Sequence, residues 1–521
     1  METCTLATLS QLLDAEGLLV ARRNLEAAAA TPITGADCDS RFAAAGHLFI
    51  AKGVAFKPAY LTSALERGAV AYLTDEARAD ELAAAAPQVP ALIVNDVRRA
   101  MGIVSPIAWG HPDRTLGVVG ITGTKGKTTT AYMLRTVLDA GSDAPRTAIM
   151  GSVETFDGIE RAESVNTTPE APDLWRHVAN TQASGLPYLV MEVSSQALKY
   201  DRTLGLELGV ACFLNLGRDH ISPVEHPDEE DYFQSKLKIF SQAKVGVVNL
   251  SSDRAPEVLA AAGTCGRVVT FAICDEAASS ASVAEADTGA QPTIWASDVT
   301  TNGRGMRFVA HTPSWEGPVA LPLLGRFNVE NALAAIVICE VLGIPREQVV
   351  AGLAQVSVPG RMEVIEAAGG KVVGVIDFAH NKMAFSRLLP AVRAQYPGRT
   401  IISVFGAVGS KAVERRYELP QEAAKWSDLL IFTEDDPGEE PVADICAVME
   451  ASTPEGTPCE TILDRAEAVQ RAVDLAFAED GGAVVCLLCR GTEPTQHRGH
   501  AFVPVKLDAE LFAEAVARHE A

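Results

Sequence analysis

Gly120-Ile-Thr-Gly-Thr-Lys-Gly-Lys-Thr-Thr-Thr130 follows an apolar run, Leu116 to Ile121, and leads into a helical pattern, Ala131 to Ala140. Strand, glycine-rich turn, Lys-Thr and helix make a phosphate cradle. The glycines let backbone N–H groups close on phosphate oxygens, and the helix N-terminus adds the positive end of a dipole. Lys127 is placed to reach the terminal phosphates, and the Thr128 hydroxyl to hold Mg²⁺. The common G-x-x-x-x-G-K-[ST] pattern is not met, because Ile121 stands where its first glycine belongs and glycines recur at 120, 123 and 126. A plain glycine-rich turn is the competing reading, and the strand–helix context of Gly-Lys-Thr disfavours it. The chain is therefore expected to bind a nucleoside triphosphate through Gly123, Thr124, Lys125, Gly126, Lys127, Thr128 and Thr129.

Beyond the loop lie further buried-strand candidates, Tyr188–Glu192, Val210–Leu216 and Val245–Leu250, with a helical pattern at Glu229–Ala243. Strands alternating with helices predict a largely parallel sheet covered on both faces. Near Thr264–Thr312 the texture changes to short β-like pieces, read as an antiparallel annex, and Asn328 to Gly343 reads as an Ala- and Ile-rich helix ended by Gly343-Ile-Pro345. From Val358-Pro-Gly-Arg361 the alternation resumes, with strands expected at Val372–Phe378, Thr400–Phe405, Leu429–Thr433 and Ala483–Leu488. Before the loop, helical stretches (Leu6–Leu13, Ala59–Gly68) alternate with short apolar runs (His47–Ala51, Ala69–Leu73, Ala91–Val94), and His111-Pro-Asp-Arg114 reads as a linker. The expected fold is α/β in three domains: residues 1–112, a small α/β unit; 113–356, a P-loop-type ATPase unit with a mainly parallel sheet; and 357–521, a Rossmann-like unit. A chain of 521 residues is too long for one ordinary core.

The net charge of -23 argues against broad binding of nucleic acid or of an anionic membrane. It leaves room for an anionic ligand in a local basic pocket and suits a cationic second substrate. Met1-Glu-Thr-Cys4 shows no secretory pattern, and no apolar run approaches the roughly 20 residues that span a bilayer. Ten scattered cysteines suit a reducing cytosol, so a cytoplasmic protein without membrane insertion is expected. Cys486-Leu-Leu-Cys489 has metal-knuckle spacing but no partner pair, and its apolar surroundings read as buried strand thiols.

Polar residues recur at the C-terminal ends of the middle strands, where open α/β sheets bind ligands. Tyr188-Leu-Val-Met-Glu-Val-Ser-Ser195 puts Glu192 at one strand end, and Phe213-Leu-Asn-Leu-Gly-Arg-Asp-His220 puts Asp219 and His220 just beyond another. A carboxylate and an imidazole beside a phosphate loop are partners for Mg²⁺ or its waters. Each alone fits a structural residue equally well; their joint occurrence after Gly-Lys-Thr favours a metal–ATP site. Lys236 and Lys238, on the helix Glu229–Phe240, read by spacing alone as solvated lysines. Asp377-Phe-Ala-His380 and Glu434-Asp-Asp-Pro-Gly-Glu-Glu440 follow strands of the last unit, and the second is acidic enough to hold an ammonium group.

Side by side, these segments resemble the Mur ligases, the ATP-dependent amide-forming enzymes of peptidoglycan synthesis, and among them the type that adds the third residue of the peptide. The resemblance runs from Asp39-Ser-Arg41 to Gly491-Thr-Glu493 and is carried by the Gly-Thr-Lys-Gly-Lys-Thr loop, Asn166-Thr-Thr-Pro169, Met191-Glu-Val-Ser-Ser-Gln-Ala-Leu198 and Asp231-Tyr-Phe-Gln-Ser-Lys236. It implies a uridine-nucleotide domain, an ATPase domain and an amino-acid-binding domain, in a chain expected to act as a monomer. It implies that Ser40, Thr167, Thr168, Ser194 and Arg202 hold UDP-N-acetylmuramoyl-L-Ala-D-Glu; Tyr200 stands where the family often has Gln. It makes Thr128, Glu192 and His220 neighbours of magnesium. It identifies Lys236 with a lysine that takes up CO₂ as a carbamate and binds a second Mg²⁺, the anionic oxygen ligand that hard Mg²⁺ prefers. It gives Asn328 and Asn331 to adenine, and Arg361 and Asp377 to ATP contacts from the last domain. Lys127, Glu192, His220 and Lys236 are thus the expected catalytic set.

The same resemblance implies the chemistry. The D-Glu side-chain carboxylate attacks the γ-phosphate of ATP, and an amino-acid amine displaces phosphate from the acyl phosphate; His220 and His380 are weak candidates for the base. Ligases that use meso-diaminopimelate typically carry Asp-Asn-Pro-Arg where this chain has Asp435-Asp-Pro-Gly438, followed by Glu439 and Glu440. Without that arginine a second carboxylate meets repulsion and an ammonium is welcome. L-Lysine is the expected amine, with ornithine or meso-diaminopimelate as the alternatives. Arg416 is expected on its α-carboxylate, and Asp435, Asp436 and Glu493 around its ammonium groups. A folylpolyglutamate-type ligase would share the loop but not Asp-Ser-Arg. A non-catalytic relative should have lost one of Lys127, Glu192, His220 or Lys236, and all four are present.

Overall fold

A computed structural model describes residues 4–222, 225–274, 290–303 and 305–520. Among them the strands form three sheets and a hairpin, one sheet to each stretch of the chain. In the first, Ala91–Val94, Ala71–Asp75, His47–Ile50 and Gly35–Asp37 run parallel, and Leu19–Arg23 closes one edge antiparallel.

The middle sheet has eleven strands, and Gly117–Thr122 lies inside it between Leu208–Phe213 and Tyr188–Glu192. Both neighbours pair with it in parallel, so all three C-terminal ends open on one edge. These strands are buried on both faces, which is why they read as unbroken apolar runs rather than alternating ones. The expected annex is a continuation of this sheet and not a separate piece. Arg267–Ile273 and the start of Ile294–Asn302 still pair in parallel, and only Gly305–His311 and Glu316–Leu321 are antiparallel. Residues 275–289 and 304 of that stretch lie outside the described residues. The helix expected to run to Ala243 ends at Leu237; a 3-10 turn, Lys238–Gln242, hands over to a strand that begins at Ala243. His111–Arg114 is a fixed joint: Asp113 is buried, and its carboxylate accepts the Glu207 N–H at 2.8 Å.

In the last sheet, Val372–Asp377, Ala483–Leu488, Thr400–Phe405, Leu429–Phe432 and Cys459–Thr461 are parallel and Glu363–Ala367 is antiparallel. Cys486 and Cys489 are buried free thiols, as are the other cysteines in state if not in depth. The helix Arg326–Leu342 is apolar all round over residues 332–339, with Val329, Leu333, Ile336, Val337 and Ile338 buried. Each large side chain of that kind gains about 1.5–3 kcal/mol by leaving water, and together they fix the start of the helix, where Asn328 donates to the Leu324 carbonyl at 2.7 Å and Asn331 reaches the cavity. Among the described residues no helix is long and apolar enough to cross a membrane.

Candidate functional site

Gly117–Thr122 ends in a loop that turns at Gly123 (φ +151°) and Gly126 (φ +91°) before the helix Lys127–Asp139 begins. A Cβ at Gly126 would lie 2.3 Å from Asn331 Oδ1, so Asn331 and the loop are built against each other. Asn215, beyond the neighbouring strand, staples the loop: its Oδ1 accepts the Lys125 N–H and its Nδ2 donates to the Lys125 carbonyl, both at 2.9 Å. Thr124 donates to the Gly217 carbonyl at 3.2 Å, and its hydroxyl also meets that of Tyr232 at 3.1 Å. The cradle is thereby set before any phosphate arrives.

Around it lies a cavity of about 490 Å³, walled by the middle and last units. On one side Glu192 is held at its strand end, accepting the Thr128 hydroxyl at 3.0 Å and the Ser152 N–H at 2.8 Å. A carboxylate, a threonine hydroxyl and the phosphate loop are an oxygen-rich donor set of the kind Mg²⁺ takes. His220 stands across the same cavity in a left-handed backbone conformation (φ +58°), its Nδ1 tied to Glu225 at 2.9 Å.

Three amines crowd the loop. Lys127 Nζ donates to the Gly123 carbonyl at 2.8 Å, and Lys236 Nζ reaches the same carbonyl at 3.1 Å. Lys236, predicted by spacing to be a solvated helix lysine, is in fact buried, with its amine 4.4 Å from the centre of the Tyr232 ring. Burial, and then repulsion from Lys127, hold its pKa well below that of an ordinary lysine. Lys125 and Lys127 are lowered chiefly by burial as well.

Asp219 joins the two halves of the cavity. Its carboxylate meets Lys125 Nζ at 3.2 Å and accepts from Asn381 Nδ2 at 2.8 Å and Arg415 Nη2 at 3.1 Å, the last two from the final unit. Burial alone would raise its pKa, but Lys125, His220, His380 and Arg415 outweigh burial and hold it well below the carboxylate range. His380 has both ring nitrogens engaged, Nδ1 with the Phe378 carbonyl at 2.6 Å and Nε2 with Lys125 at 3.2 Å. That leaves no lone pair for an incoming amine. Arg361 is over the Phe378 ring at 4.5 Å, and Asp377 is pinned by the Met362 and Ala379 N–H groups at 2.7 Å.

The far wall is acidic. Asp435, Asp436 and Glu493 all line the cavity. Burial, and then the neighbouring Asp435, push Glu493 up to about 7; burial also raises Asp435, against the pull of Arg490. Glu439 and Glu440, counted as part of the acidic loop in sequence, face elsewhere: Glu439 pairs with His500 at 2.8 Å and Glu440 with Arg416 at 2.8 Å. Arg416 itself donates to the Val408 carbonyl and to Glu440, off the cavity wall, while Lys411 and Arg415 stand on it.

On the remaining side Thr167, Ser194 and Arg202 reach the wall. Thr168 is behind them, donating to the Glu192 carbonyl at 2.9 Å and accepting the Ser194 N–H at 3.0 Å. Tyr200 lies under the Arg98 guanidinium at 4.6 Å. Ser40 sits in the turn after Gly35–Asp37, away from this wall. Sequence reasoning did not find Ser152, Asn215, Tyr232, Asn381 or Arg415. Asn215 alone carried a signal, as a polar residue at the end of an apolar strand.

Two family descriptions match the chain, the Mur ligase middle domain over residues 121–339 and the Mur ligase glutamate ligase domain over residues 360–489. The chain is 34% identical to UDP-N-acetylmuramoyl-L-alanyl-D-glutamate–L-lysine ligase of Enterococcus faecalis, across 87% of this chain and 86% of that protein. It is 35% identical to UDP-N-acetylmuramyl-tripeptide synthetase of Bifidobacterium longum, across 91% and 90%. Among solved structures it superposes on a UDP-N-acetylmuramoyl-L-alanyl-D-glutamate–2,6-diaminopimelate ligase over 100% of both chains, with a TM-score of 0.62 and 24% identity. At that identity the likeness is one of fold.

Proposed function

The chain belongs to the Mur ligase family, and from that premise we propose that it joins L-lysine to the D-Glu side-chain carboxylate of UDP-N-acetylmuramoyl-L-Ala-D-Glu, using ATP, in the cytoplasmic synthesis of peptidoglycan precursors. One observation carries the choice of amine. The cavity that holds the phosphate loop at one end is lined at the other by Asp435, Asp436 and Glu493. Burial first, and then the charge of Asp435, raise Glu493, even with Arg490 3.8 Å from Asp435. An ammonium relieves that cost and a second carboxylate adds to it.

The residues then divide the work. Lys127 neutralises the phosphate that is transferred, while the loop amides and the helix terminus orient it. Asn331 faces the adenine, with Asn328 behind it accepting from its Nδ2 at 3.1 Å, and Arg361 and Asp377 bring the last unit onto the nucleotide. Thr167, Ser194 and Arg202 hold the muramoyl dipeptide, with Thr168 fixing them from behind, and Ser40 serves the uridine end. Thr128, Glu192 and His220 would hold one Mg²⁺, and Lys236 as a carbamate a second; bound there, the ions would screen the charge that builds on the transferring phosphate. A neutral amine is the form that adds CO₂, and burial, which lowers the pKa of Lys236, favours that form. Asp435, Asp436 and Glu493 receive the ammonium groups of lysine. Lys411 or Arg415 is better placed than Arg416 for its α-carboxylate. We take residues 1–112, 113–356 and 357–521 as the three domains, working as a monomer.

The test is phosphate release by purified enzyme with ATP, Mg²⁺ and UDP-N-acetylmuramoyl-L-Ala-D-Glu, comparing L-lysine, L-ornithine and meso-diaminopimelate, with products followed by mass spectrometry. Lysine-dependent turnover is expected. Turnover with meso-diaminopimelate alone would overturn the reading of the acidic wall and leave the ligase reading standing.

A further inference from the structure

Three residues past Glu192, Ser195 opens a short helix, Ser195–Lys199, that packs against the helix Glu229–Leu237. Ser195 is buried, yet it lines the cavity beside Ser194 and Gln196. Its hydroxyl oxygen lies 2.9 Å from Nε2 of His226, a fully buried side chain. Nδ1 of the same ring lies 2.6 Å from Asp231 Oδ2. Hydroxyl, imidazole and carboxylate thus stand in line, with the hydroxyl at the cavity end.

The ring's proton decides what the serine can do. A carboxylate only accepts, so Nδ1 carries a proton and donates it to Asp231. Asp231 is already paired with Lys199, whose Nζ meets the same Oδ2 at 2.7 Å. A second proton on the ring would put a second cation on that one carboxylate. Glu225 turns its own carboxylate to His220 Nδ1 at 2.9 Å and Gln196 Nε2 at 3.2 Å, and gives Lys199 only its carbonyl, at 3.0 Å. His220 offers the His226 N–H its backbone carbonyl at 3.2 Å, and the Tyr232 ring meets the imidazole edge to face, 5.2 Å between centres. Burial lowers the His226 pKa below that of an ordinary histidine, and the pull of Asp231 does not offset it. The neutral ring keeps its one proton on Nδ1 and a bare lone pair on Nε2. Ser195 donates to that lone pair. Its only proton is thereby committed, and the cavity meets an oxygen that accepts and does not donate.

Ser194, next to it, is engaged differently: its oxygen accepts the Ala197 N–H at 3.2 Å and the Thr168 hydroxyl at 3.4 Å. Along this wall a committed acceptor suits an N–H and refuses a carboxylate. A muramoyl-linked L-Ala-D-Glu offers two N–H groups, the amides on either side of L-Ala. We propose that Ser195 accepts a backbone amide N–H of the substrate dipeptide, and that His226 and Asp231 are positioning residues that hold the Ser195 proton away from the cavity. The proposal rests on the reading of this wall as the dipeptide site and adds to it a rule of selection. An acceptor fixed at this point sets which edge of the peptide faces the wall.

Steady-state kinetics of the full-length enzyme test it with UDP-N-acetylmuramoyl-L-Ala-D-Glu and two analogues, one with L-lactate in place of L-Ala and one with D-2-hydroxyglutarate in place of D-Glu. Each analogue exchanges one amide N–H for an ester oxygen and keeps the carboxylate that reacts. In wild type one of them is expected to lose about ten-fold or more in kcat/KM, because a buried acceptor is left facing another oxygen. Ser195→Ala should lose about as much on the parent substrate and then separate it from that analogue by no more than about two-fold. The KM of ATP and the melting temperature should hold. His226→Gln, whose side-chain oxygen can take the place of Nε2, should keep most of the discrimination, and His226→Leu should lose it. Equal discrimination in wild type and Ser195→Ala would overturn the proposal. So would a wild type that treats all three substrates alike, or a loss in Ser195→Ala that falls on the KM of lysine instead. Full discrimination in a folded His226→Leu would overturn the positioning role. A wild-type enzyme that does not turn over the parent substrate would remove the dipeptide reading itself, and the acceptor with it.

Discussion

Glu493 is poised to change charge at neutral pH, with a pKa pushed up to about 7 by burial and by Asp435. If it receives an ammonium group, the KM for lysine should climb as the pH falls below about 7, and Glu493→Gln should flatten that climb; a profile unchanged by the substitution would remove Glu493 from the site. The same shift has a consequence for stability. The carboxyl binds its proton more tightly folded than unfolded, so its contribution is complete below about 4.5 and is lost as the pH rises through about 7. Without amino acid, Glu493→Gln should therefore raise the melting temperature more at pH 8 than at pH 5, and equal gains at both would contradict the shift. Lys236 makes a second residue-scale prediction. A guanidinium stays charged and forms no carbamate, so Lys236→Arg should lower kcat by about a hundred-fold or more in a protein that still folds. Near-normal turnover would dismiss the carbamate.

At the scale of elements, the loop and the helix Arg326–Leu342 are locked together. Gly126→Ala forces a side chain into a left-handed backbone, at a cost of about 1–2 kcal/mol, and drives Asn331 from its place. The KM for ATP should rise while the KM for lysine holds, and steady-state kinetics with each substrate varied in turn would show it. Elements of this kind were legible in the sequence. Tyr188–Glu192, Thr400–Phe405 and Ala483–Leu488 have the very bounds their apolar runs suggest, because strands covered on both faces leave an unbroken apolar signature. The cradle was legible because its glycines and lysine are contiguous. Ser152 and Tyr232 were not, since their roles depend on where Glu192 and Thr124 arrive from elsewhere in the chain. Arg415 and Arg416 open one helix, and one residue there turns a side chain by about 100°. Composition does not reveal which of the two faces the cavity. Lys236 needed the family resemblance, because helical spacing gives no hint that the phosphate loop will come to lie against it.

At the scale of the molecule, Asp219 clasps the last unit to the phosphate loop through Asn381, Arg415 and Lys125. Removing one partner of such a buried set typically costs about 3–5 kcal/mol. Asp219→Ala should therefore loosen the last unit, and small-angle scattering of the ligand-free protein should show a larger radius of gyration than wild type; an unchanged radius would mean the clasp does not hold the units together. The order of the three sheets was readable from the alternation of strands and helices. The clasp was not, since it joins residues as far apart as Lys125 and Arg415. That separation also sets a timetable for the newborn protein. At roughly 5–20 residues per second, a ribosome that has just made Asn331, the last partner of the loop, needs on the order of 8–32 s to reach Glu493. Through that interval the nascent chain carries a phosphate cradle with no acidic wall facing it, so a nucleotide captured early has no amine-binding side opposite it until translation is nearly over.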